Sequence, residues 1–183
     1  ITGLQGGKWM SGTIDLALKL RPDTERIFVV NGSRDGGRDV EAEIARQLQP
    51  RTSTVELVSL KGLSLSDLTS RVAAIPDRSV VFYIRQAIRN QSQDLDPFEG
   101  LAQVLRASPV PVFVQQEEFV GRGVVGGYMW GYAPDARRMA DITRRIVSGT
   151  HPRDVPVGEA SYDTLLDWRQ LQRWGIEESN LPP

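Results

Sequence analysis

Polar side chains that could hold a small ligand are concentrated in a loop, NGSRDGGRD, at positions 31–39. Gly32 and Gly37 have the spacing of a phosphate-binding P-loop, but Arg38 and Asp39 stand where that motif needs Lys and Ser or Thr. This mismatch argues against a nucleotide site, and a turn that begins a helix is the simplest alternative. If the loop binds a polar ligand, helped by N–H groups of the following helix, the candidate contacts are Asn31, Ser33 and Arg34.

Two further loops offer recognition chemistry but no catalytic pair. The stretch YIRQAIRNQSQ at 83–93 has no Asp or Glu near its start, and QQEEFVGRG at 115–123 carries Glu117 beside Glu118. Adjacent residues of an extended loop point to opposite sides, so these carboxylates make a poor acid/base pair. The candidate ligand contacts in these loops are Tyr83, Arg85, Gln86, Gln115, Gln116 and Phe119.

Residues for covalent or metal chemistry are scarce. His151 is the one histidine of the sequence, it precedes Pro152, and there is no Cys. Without Cys or clustered carboxylates, this imidazole is predicted to be a surface residue rather than a metal ligand. No G-x-S-x-G stretch offers a serine nucleophile. We therefore predict no catalytic residue, no metal and no cofactor.

Length and composition fit one α/β domain or lobe. The chain has 183 residues, a formal net charge of −1, 40% hydrophobic residues and 25% charged residues. No Lys- or Arg-rich run is present, which argues against a nucleic-acid partner. No apolar run approaches the roughly 20 residues of a membrane span. The sequence starts at Ile1 without Met, so we expect a longer gene product.

Five apolar runs predict buried strands, and helical patterns separate them. The strand runs lie at 26–30, 55–60, 79–84, 110–114 and 123–129. The helical patterns lie at 11–22, 37–50, 64–76, 96–108 and 133–149, with a short one in DWRQLQRWG. Ser64 or Ser66, and Asp96, are predicted N-caps, and Gly149 a helix stop. This rhythm predicts a flavodoxin-like three-layer α/β sandwich with a mainly parallel five-stranded sheet in order 2-1-3-4-5 and strand 55–60 at its edge.

Three stretches together resemble a known family. They are GGKWMSGTIDLALKLRPDTERIFVV, GVVGGYMWGYAPDARRMADITRRIVSGTHPRDVPV and the closing DWRQLQRWGIEESNLPP. Over nearly its whole length the chain resembles the ABC-transporter substrate-binding-like domains of the periplasmic binding protein superfamily. The versions that it resembles most are extracytoplasmic sensor regions of bacterial histidine kinases. In those sensors the closing motif, the most specific part of the resemblance, lies just before a membrane span.

Family members have two α/β lobes with the ligand between them. The resemblance implies that this chain carries the second lobe of a type I periplasmic-binding-protein-like fold. Residues 1–7 would be a hinge remnant and 8–132 the C-terminal lobe. Residues 133–160 would form a return helix and segment toward the missing first lobe, and 161–183 a membrane-proximal tail.

The same resemblance assigns roles to the stretch GGYMWGY. Three rings would line the mouth of the cleft or clasp the ligand: Tyr128, Trp130 and Tyr132. The alternative is that one or two of these rings fill the interface between the lobes. The hinge residues would be Gly126, Gly127 and Gly131, because glycine allows close approach and rotation of the backbone.

The function that the resemblance implies is extracytoplasmic sensing of a small ligand. The domain would be periplasmic, tethered to the inner membrane, and would signal to a histidine kinase by cleft closure. One alternative is the substrate-binding component of an ABC transporter for an amino acid or small organic solute. Another is a non-binding structural or interaction module. The expected partners are a small-molecule ligand and the first lobe, with a homodimer through the exposed cleft face as an alternative.

Overall fold

The computed structural model describes residues 2–6, 9–31, 42, 46, 55–84, 89–90 and 93–182. Within them the strands are β1 (Leu4–Gln5), β2 (Arg26–Val30), β3 (Glu56–Ser59), β4 (Ser79–Tyr83), β5 (Arg89–Asn90), β6 (Gln93–Asp94), β7 (Val112–Val114), β8 (Gly126–Trp130), β9 (Gly158–Glu159) and β10 (Tyr162–Leu166). The helices are α1 (Trp9–Leu20), α2 (Leu65–Ala73), α3 (Pro97–Ala107), α4 (Tyr132–Val147) and α5 (Trp168–Arg173).

A six-stranded sheet in the order β10-β8-β7-β4-β2-β3 forms the centre of the described structure. The five strands from β8 to β3 pair in parallel. They are the five predicted strands, in the predicted order and with β3 at an edge. The predicted α/β fold class is therefore confirmed.

The sixth strand, β10, is not predicted by the sequence. It pairs antiparallel with β8, from Tyr162 opposite Trp130 to Leu166 opposite Gly126. Its residues YDTLL are half-buried or exposed throughout, so the stretch lacks the continuous apolar run of the inner strands. An edge strand has fewer neighbours to bury it, which explains the weak hydrophobic signal.

Helices cover both faces of the sheet and make two separate cores. The face toward α1 and α5 presents Val29, Phe82 and Phe113. The face toward α2 and α3 presents the next residue of each strand, Val30, Tyr83 and Val114. Successive residues of a strand alternate between faces. This alternation assigns a face to the residues that follow each strand as well.

Side-chain caps set the starts of α2 and α3. Oγ of Ser64 accepts a hydrogen bond from the Asp67 N–H at 3.2 Å. The Asp96 carboxylate accepts one from the Phe98 N–H at 2.8 Å, and Pro97 takes the first helical position. Each cap satisfies an N–H that the helix leaves unpaired. The predicted caps Ser64 and Asp96 are confirmed.

Helix α4 differs from the others because it lies almost wholly in solvent. Of its 16 residues only Asp135 is buried. It ends before Gly149, whose φ of 101° is the left-handed conformation expected of a helix stop. The predicted helix at 37–50 lies outside the described residues, apart from Ala42 and Arg46, which are helical.

The last part of the described chain packs on the α/β body. Leu171 of α5 and Ile176 are buried in the α1 core, and Trp174 packs against it. Within the described ranges no helix combines the length and the apolar character that crossing a membrane requires. The division into hinge remnant, lobe, return segment and membrane-proximal tail stays a prediction.

Candidate functional site

The carboxyl ends of the parallel strands meet at one edge of the sheet, where ligands bind in doubly wound folds. The register aligns the last residues of β2, β4 and β7 with one another. Continued by one residue, it places Asn31, Ile84 and Gln115 side by side, a set that we name the edge row. Alternation turns this row toward α1, and Ile84 does pack in the α1 core.

Two amide oxygens of the edge row are buried without a partner. Asn31 is 6% exposed, and neither its Oδ1 nor Oε1 of Gln115 accepts a hydrogen bond from the described part of the chain. A buried acceptor left unpaired costs about 1–3 kcal/mol. The edge row therefore contains two acceptors that lack a donor among the described residues.

Strand β8 extends this surface because it changes faces at Gly126. Val125 lies in the α1 core, whereas Met129, four residues on, lies in the α2/α3 core. The φ of Gly126 is 134°, a conformation that side chains disfavour. The change of face turns Tyr128 toward α1, where its ring fills the space over Gly12.

Tyr128 is held by its backbone and by its ring. Oγ1 of Thr13 in α1 accepts a hydrogen bond from the Tyr128 N–H and donates one to its carbonyl, each at 3.1 Å. On its other side the ring stacks on Tyr162 of β10, with centroids 5.4 Å apart. The start of α1 is thus fixed to the carboxyl end of β8.

Trp130 and Tyr132 form an exposed aromatic pair at the junction of β8 and α4. Their rings stack with centroids 5.9 Å apart and are 45% and 40% exposed. The indole Nε1 of Trp130 donates to Oδ2 of Asp135. The other carboxylate oxygen, Oδ1, accepts from the Ser161 N–H at 3.0 Å. Asp135 therefore sets the orientation of the indole.

The pKa of Asp135 reflects two opposing influences. Desolvation by burial raises it, but the hydrogen bonds from Trp130 and Ser161 and the nearby Arg138 guanidinium lower it more, so the pKa falls below its ordinary value. Hydrogen bonds to the charged form favour that form. The carboxylate is consequently ionised at neutral pH.

An open, mainly apolar groove of about 470 Å³ lies beside the aromatic pair. Its lining comes from the N-terminal segment, the end of β8 and the first turns of α4: Gly3, Leu4, Trp130, Tyr132, Asp135, Ala136 and Met139. A volume of this size suits a small organic molecule or a few apolar side chains.

Three chain segments are joined next to the groove. The short strands β1 and β9 pair in parallel, and the Gly131 N–H donates to the Ser161 carbonyl at 2.8 Å. The Arg138 guanidinium donates to the Glu159 carbonyl at 2.8 Å. The N-terminal segment, the start of α4 and the chain that follows α4 therefore meet in one place.

The predicted site residues divide between the two faces of the sheet. Asn31, Tyr128 and Trp130 share the α1 side of the carboxyl edge. Tyr83 and Phe119 lie in the α2/α3 core, fully buried and in edge-to-face contact at 5.8 Å. The Tyr83 hydroxyl donates to the Pro97 carbonyl at 2.8 Å. Burial removes both rings from any surface that a ligand could touch in this conformation.

Other predicted contacts have different outcomes. Gln116 is half-buried at the start of a 3-10 turn. Four candidates lie outside the described residues: Ser33, Arg34, Arg85 and Gln86. Sequence reasoning missed Asp135, although its position five residues after Trp130, at the start of a helix, was a usable signal. Gln115 was predicted as a contact, but the register that aligns it with Asn31 across β4 could not be read from the sequence.

Two of the three predicted hinge glycines have a close steric reason to be glycine. A Cβ at Gly126 would lie 2.0 Å from the Leu165 carbonyl oxygen, and one at Gly127 would lie 1.8 Å from that of Val114. Gly131 has a looser fit, with its nearest neighbour at 3.3 Å. Close strand approach therefore explains Gly126 and Gly127 without a hinge, and a hinge role stays a prediction for all three.

Side chains that could bind a metal are not clustered among the described residues. In that part of the chain no group of three His, Cys, Asp or Glu side chains could hold a metal ion. His151 is exposed and its ring nitrogens contact the Arg153 guanidinium. The carboxyl edge brings together aromatic rings and amide groups, the kinds of side chain that hold small organic molecules in binding sites.

Comparison with known proteins agrees with the geometry. A family model described as ABC transporter substrate binding protein matches residues 1–180. No curated protein sequence is significantly similar to the chain.

Solved structures of low sequence identity share the fold. A conserved domain protein from Vibrio cholerae matches with a TM-score of 0.69 and 20% identity, over 98% of this chain and 60% of its own. An ABC domain in complex with L-Trp from Streptococcus pneumoniae has a TM-score of 0.69 and 15% identity, over 98% and 62%. A ligand-free, open substrate-binding protein with adhesive properties from Clostridium difficile has a TM-score of 0.65 and 14% identity, over 91% and 55%. The chain thus spans about 60% of the length of the first two.

Proposed function

Because the chain belongs to the ABC transporter substrate-binding protein family, we propose that it is the second lobe of the substrate-binding component of an ABC transporter. Its ligand would be an amino acid or another small organic solute, held between this lobe and a first lobe elsewhere in the parent protein. The observation that carries the proposal is the family match over residues 1–180. The family is one of binding proteins rather than enzymes.

The lengths of the structural relatives support a two-lobe parent protein. Nearly all of this chain aligns with about 60% of each of two relatives, which leaves room for another lobe in them. The three segments joined beside the groove also suit chain crossings between lobes. In that arrangement α4 would pack on the first lobe, and 133–160 would be the return segment.

The carboxyl edge supplies the ligand-facing wall in this proposal. Trp130, which is 45% exposed, offers flat apolar surface, while the Tyr128 ring is held between Gly12 and Tyr162. The edge row contributes two unpaired hydrogen-bond acceptors. One structural relative is described in complex with L-Trp, a ligand that combines an aromatic ring with charged groups. The ring pair Trp130 and Tyr132 would either contact the ligand or fill the interface between lobes.

Ligand binding would act by closing the cleft. A ligand that contacts both lobes binds the closed state better and shifts the population toward it. Gly131 is the best placed of the three glycines to absorb the motion, because the other two are confined by neighbouring strands. The protein would work outside the cytoplasm, where substrate-binding components deliver solutes to a membrane transporter.

The sensor alternative depends on the closing stretch DWRQLQRWGIEESNLPP alone. The comparisons name a transporter family and no kinase, so the transporter component is the better supported. Reading the gene downstream of residue 183 separates the two. A membrane span followed by kinase sequence would favour the sensor, and a gene that ends there would favour the transporter component.

A ligand panel tests the proposal directly. The protein expressed from the complete gene is screened by thermal shift against amino acids, small organic acids and amines, and hits are titrated by calorimetry. We expect at least one saturable ligand, whose binding raises the melting temperature by mass action. A flat response across the panel would favour the non-binding structural module.

A further inference from the structure

We propose that the edge row is a subsite for a primary ammonium group, held by Oδ1 of Asn31 and Oε1 of Gln115. This inference rests on the function proposed above and specifies the chemistry of one end of the ligand. It starts from the two buried amide oxygens, which accept no hydrogen bond from the described residues.

The two side chains come from strands that flank β4. Asn31 follows β2 and Gln115 follows β7, with β4 between them. Their backbones are therefore two strand spacings apart, about 10 Å. Both side chains lie on the α1 face and flank that of Ile84, which is 4% exposed. In the proposed subsite, a small group seated above Ile84 would have one of these amide side chains on either side.

An ammonium group satisfies this arrangement better than the other common ligand groups. It carries three donors and no acceptor, so it can serve both oxygens at once. Hydrogen bonds from a charged donor are about twice as strong as neutral ones. A carboxylate would instead bring further acceptors to two acceptors that already lack donors. The subsite therefore selects ligands that carry an amine.

The first experiment varies the ligand. The protein from the complete gene is titrated with L-phenylalanine, phenethylamine and 3-phenylpropionate, and with L-leucine, 3-methylbutylamine and 4-methylpentanoate. We expect each amino acid to bind about 10- to 100-fold more tightly than its analogue without the amine. Equal or tighter binding of the amine-free acids would overturn the subsite and leave the proposed function standing. Failure of the complete protein to bind any compound of the broad panel would overturn both.

The second experiment varies the protein. Asn31→Leu and Gln115→Met each remove an acceptor and keep a side chain of similar size. Each variant should bind amines about 10- to 100-fold more weakly. Neither should have a lower melting temperature, because the oxygen that is removed is buried and unpaired in the free protein. Asn31→Asp keeps the acceptor and should retain amine binding. Gln170→Met is the matched control, since Oε1 of Gln170 is also buried and unpaired among the described residues but belongs to α5.

Gln170 lies at the opposite end of the sheet, where the Asp167 N–H donates to the Val125 carbonyl ahead of β8. We expect Gln170→Met to leave the affinity for amines unchanged. An equal loss of affinity in Gln170→Met would overturn the subsite, because the effect would then be general. An Asn31→Asp variant that binds amines more weakly than Asn31→Leu would also overturn the subsite.

Discussion

Helices α3 and α4 are both amphipathic, yet only α3 buries its apolar side. Leu101 and Val104 of α3 are at most 1% exposed, whereas Met139 and Val147 of α4 are 41% and 82% exposed. Helix α4 is anchored mainly at its first turn, through Asp135. A short helix gains most of its stability from packing an apolar face. The contrast indicates that α3 belongs to a closed core, while the exposed apolar side of α4 suits packing against a partner such as the proposed first lobe.

The largest expected effect separates these two helices by stability. Leu101→Ala should lower the free energy of unfolding by about 2–5 kcal/mol, because it leaves a cavity in a closed core. Met139→Ala, the matched change on α4, should cost under about 0.5 kcal/mol in the 183-residue chain. Urea unfolding of both variants measures the difference. Equal losses would show that α4 packs as tightly as α3.

The next effect concerns the anchor of α4. Asp135→Asn should lower the free energy of unfolding by about 1–3 kcal/mol at pH 7. The amide keeps one acceptor oxygen but puts an NH2 group where the other oxygen accepts from Trp130 or Ser161, so one hydrogen bond and the charge are lost. Tryptophan fluorescence should change because the Trp130 indole no longer donates to an ionised carboxylate. An unchanged stability and spectrum would mean that this carboxylate does not hold the junction.

The pH dependence of the same anchor has a defined sign. The folded pKa of Asp135 is lowered, so its stabilisation is fully present above the ordinary value of 3.8 and is lost as the pH falls through the lower folded value. The difference in unfolding free energy between the natural protein and Asp135→Asn should therefore shrink below about pH 4. A difference that grows in acid would contradict the assignment.

A smaller effect compares threonines of two helices. Thr13→Val in α1 removes both hydrogen bonds to the Tyr128 backbone and should cost about 1–2 kcal/mol. Thr143→Val in α4 removes only a bond to the Met139 carbonyl within the exposed helix, and should be near neutral. Thermal unfolding of the two variants gives the comparison. An unchanged stability of Thr13→Val would contradict the conclusion that Thr13 fixes α1 to β8.

The smallest effect lies on the outer surface of α4. Arg144 pairs with Asp141 one turn away, and both side chains are more than half exposed. Arg144→Ala should change the free energy of unfolding by less than about 0.5 kcal/mol, since exposed pairs are screened by water and salt. Guanidinium or urea midpoints resolve a change of this size. A larger loss would show that Arg144 has a second, structural contact.

Much of the fold could be predicted because its signals are local. Continuous apolar runs such as VVFY mark strands that are buried on both faces, and Ser64 and Asp96 mark helix starts through their own side chains. Strand β10 was not predicted because its apolar and polar residues alternate poorly and its partner β8 is far away in the sequence. Register across a sheet depends on residues that no single stretch contains.

The candidate site was harder to predict than the fold. Tyr83 and Asn31 were both predicted as ligand contacts because each is a polar or aromatic residue near the end of a strand. Successive strand residues alternate between faces, so these two side chains lie on opposite faces of the sheet. Strand β8 breaks that alternation at Gly126, which is why Tyr128 and Trp130 face α1. The partnership of Trp130 with Asp135 depends on how a strand turns into a helix, a geometry that composition does not record.

Hydrogen exchange along α4 tests the central claim most directly. The backbone amides of Ala136 to Val147 are compared in the 183-residue chain alone and in the protein from the complete gene. If the apolar side of α4 packs on a first lobe, these amides should exchange rapidly in the chain alone and become protected by at least about tenfold in the complete protein. Equal exchange in the two proteins would contradict the two-lobe account.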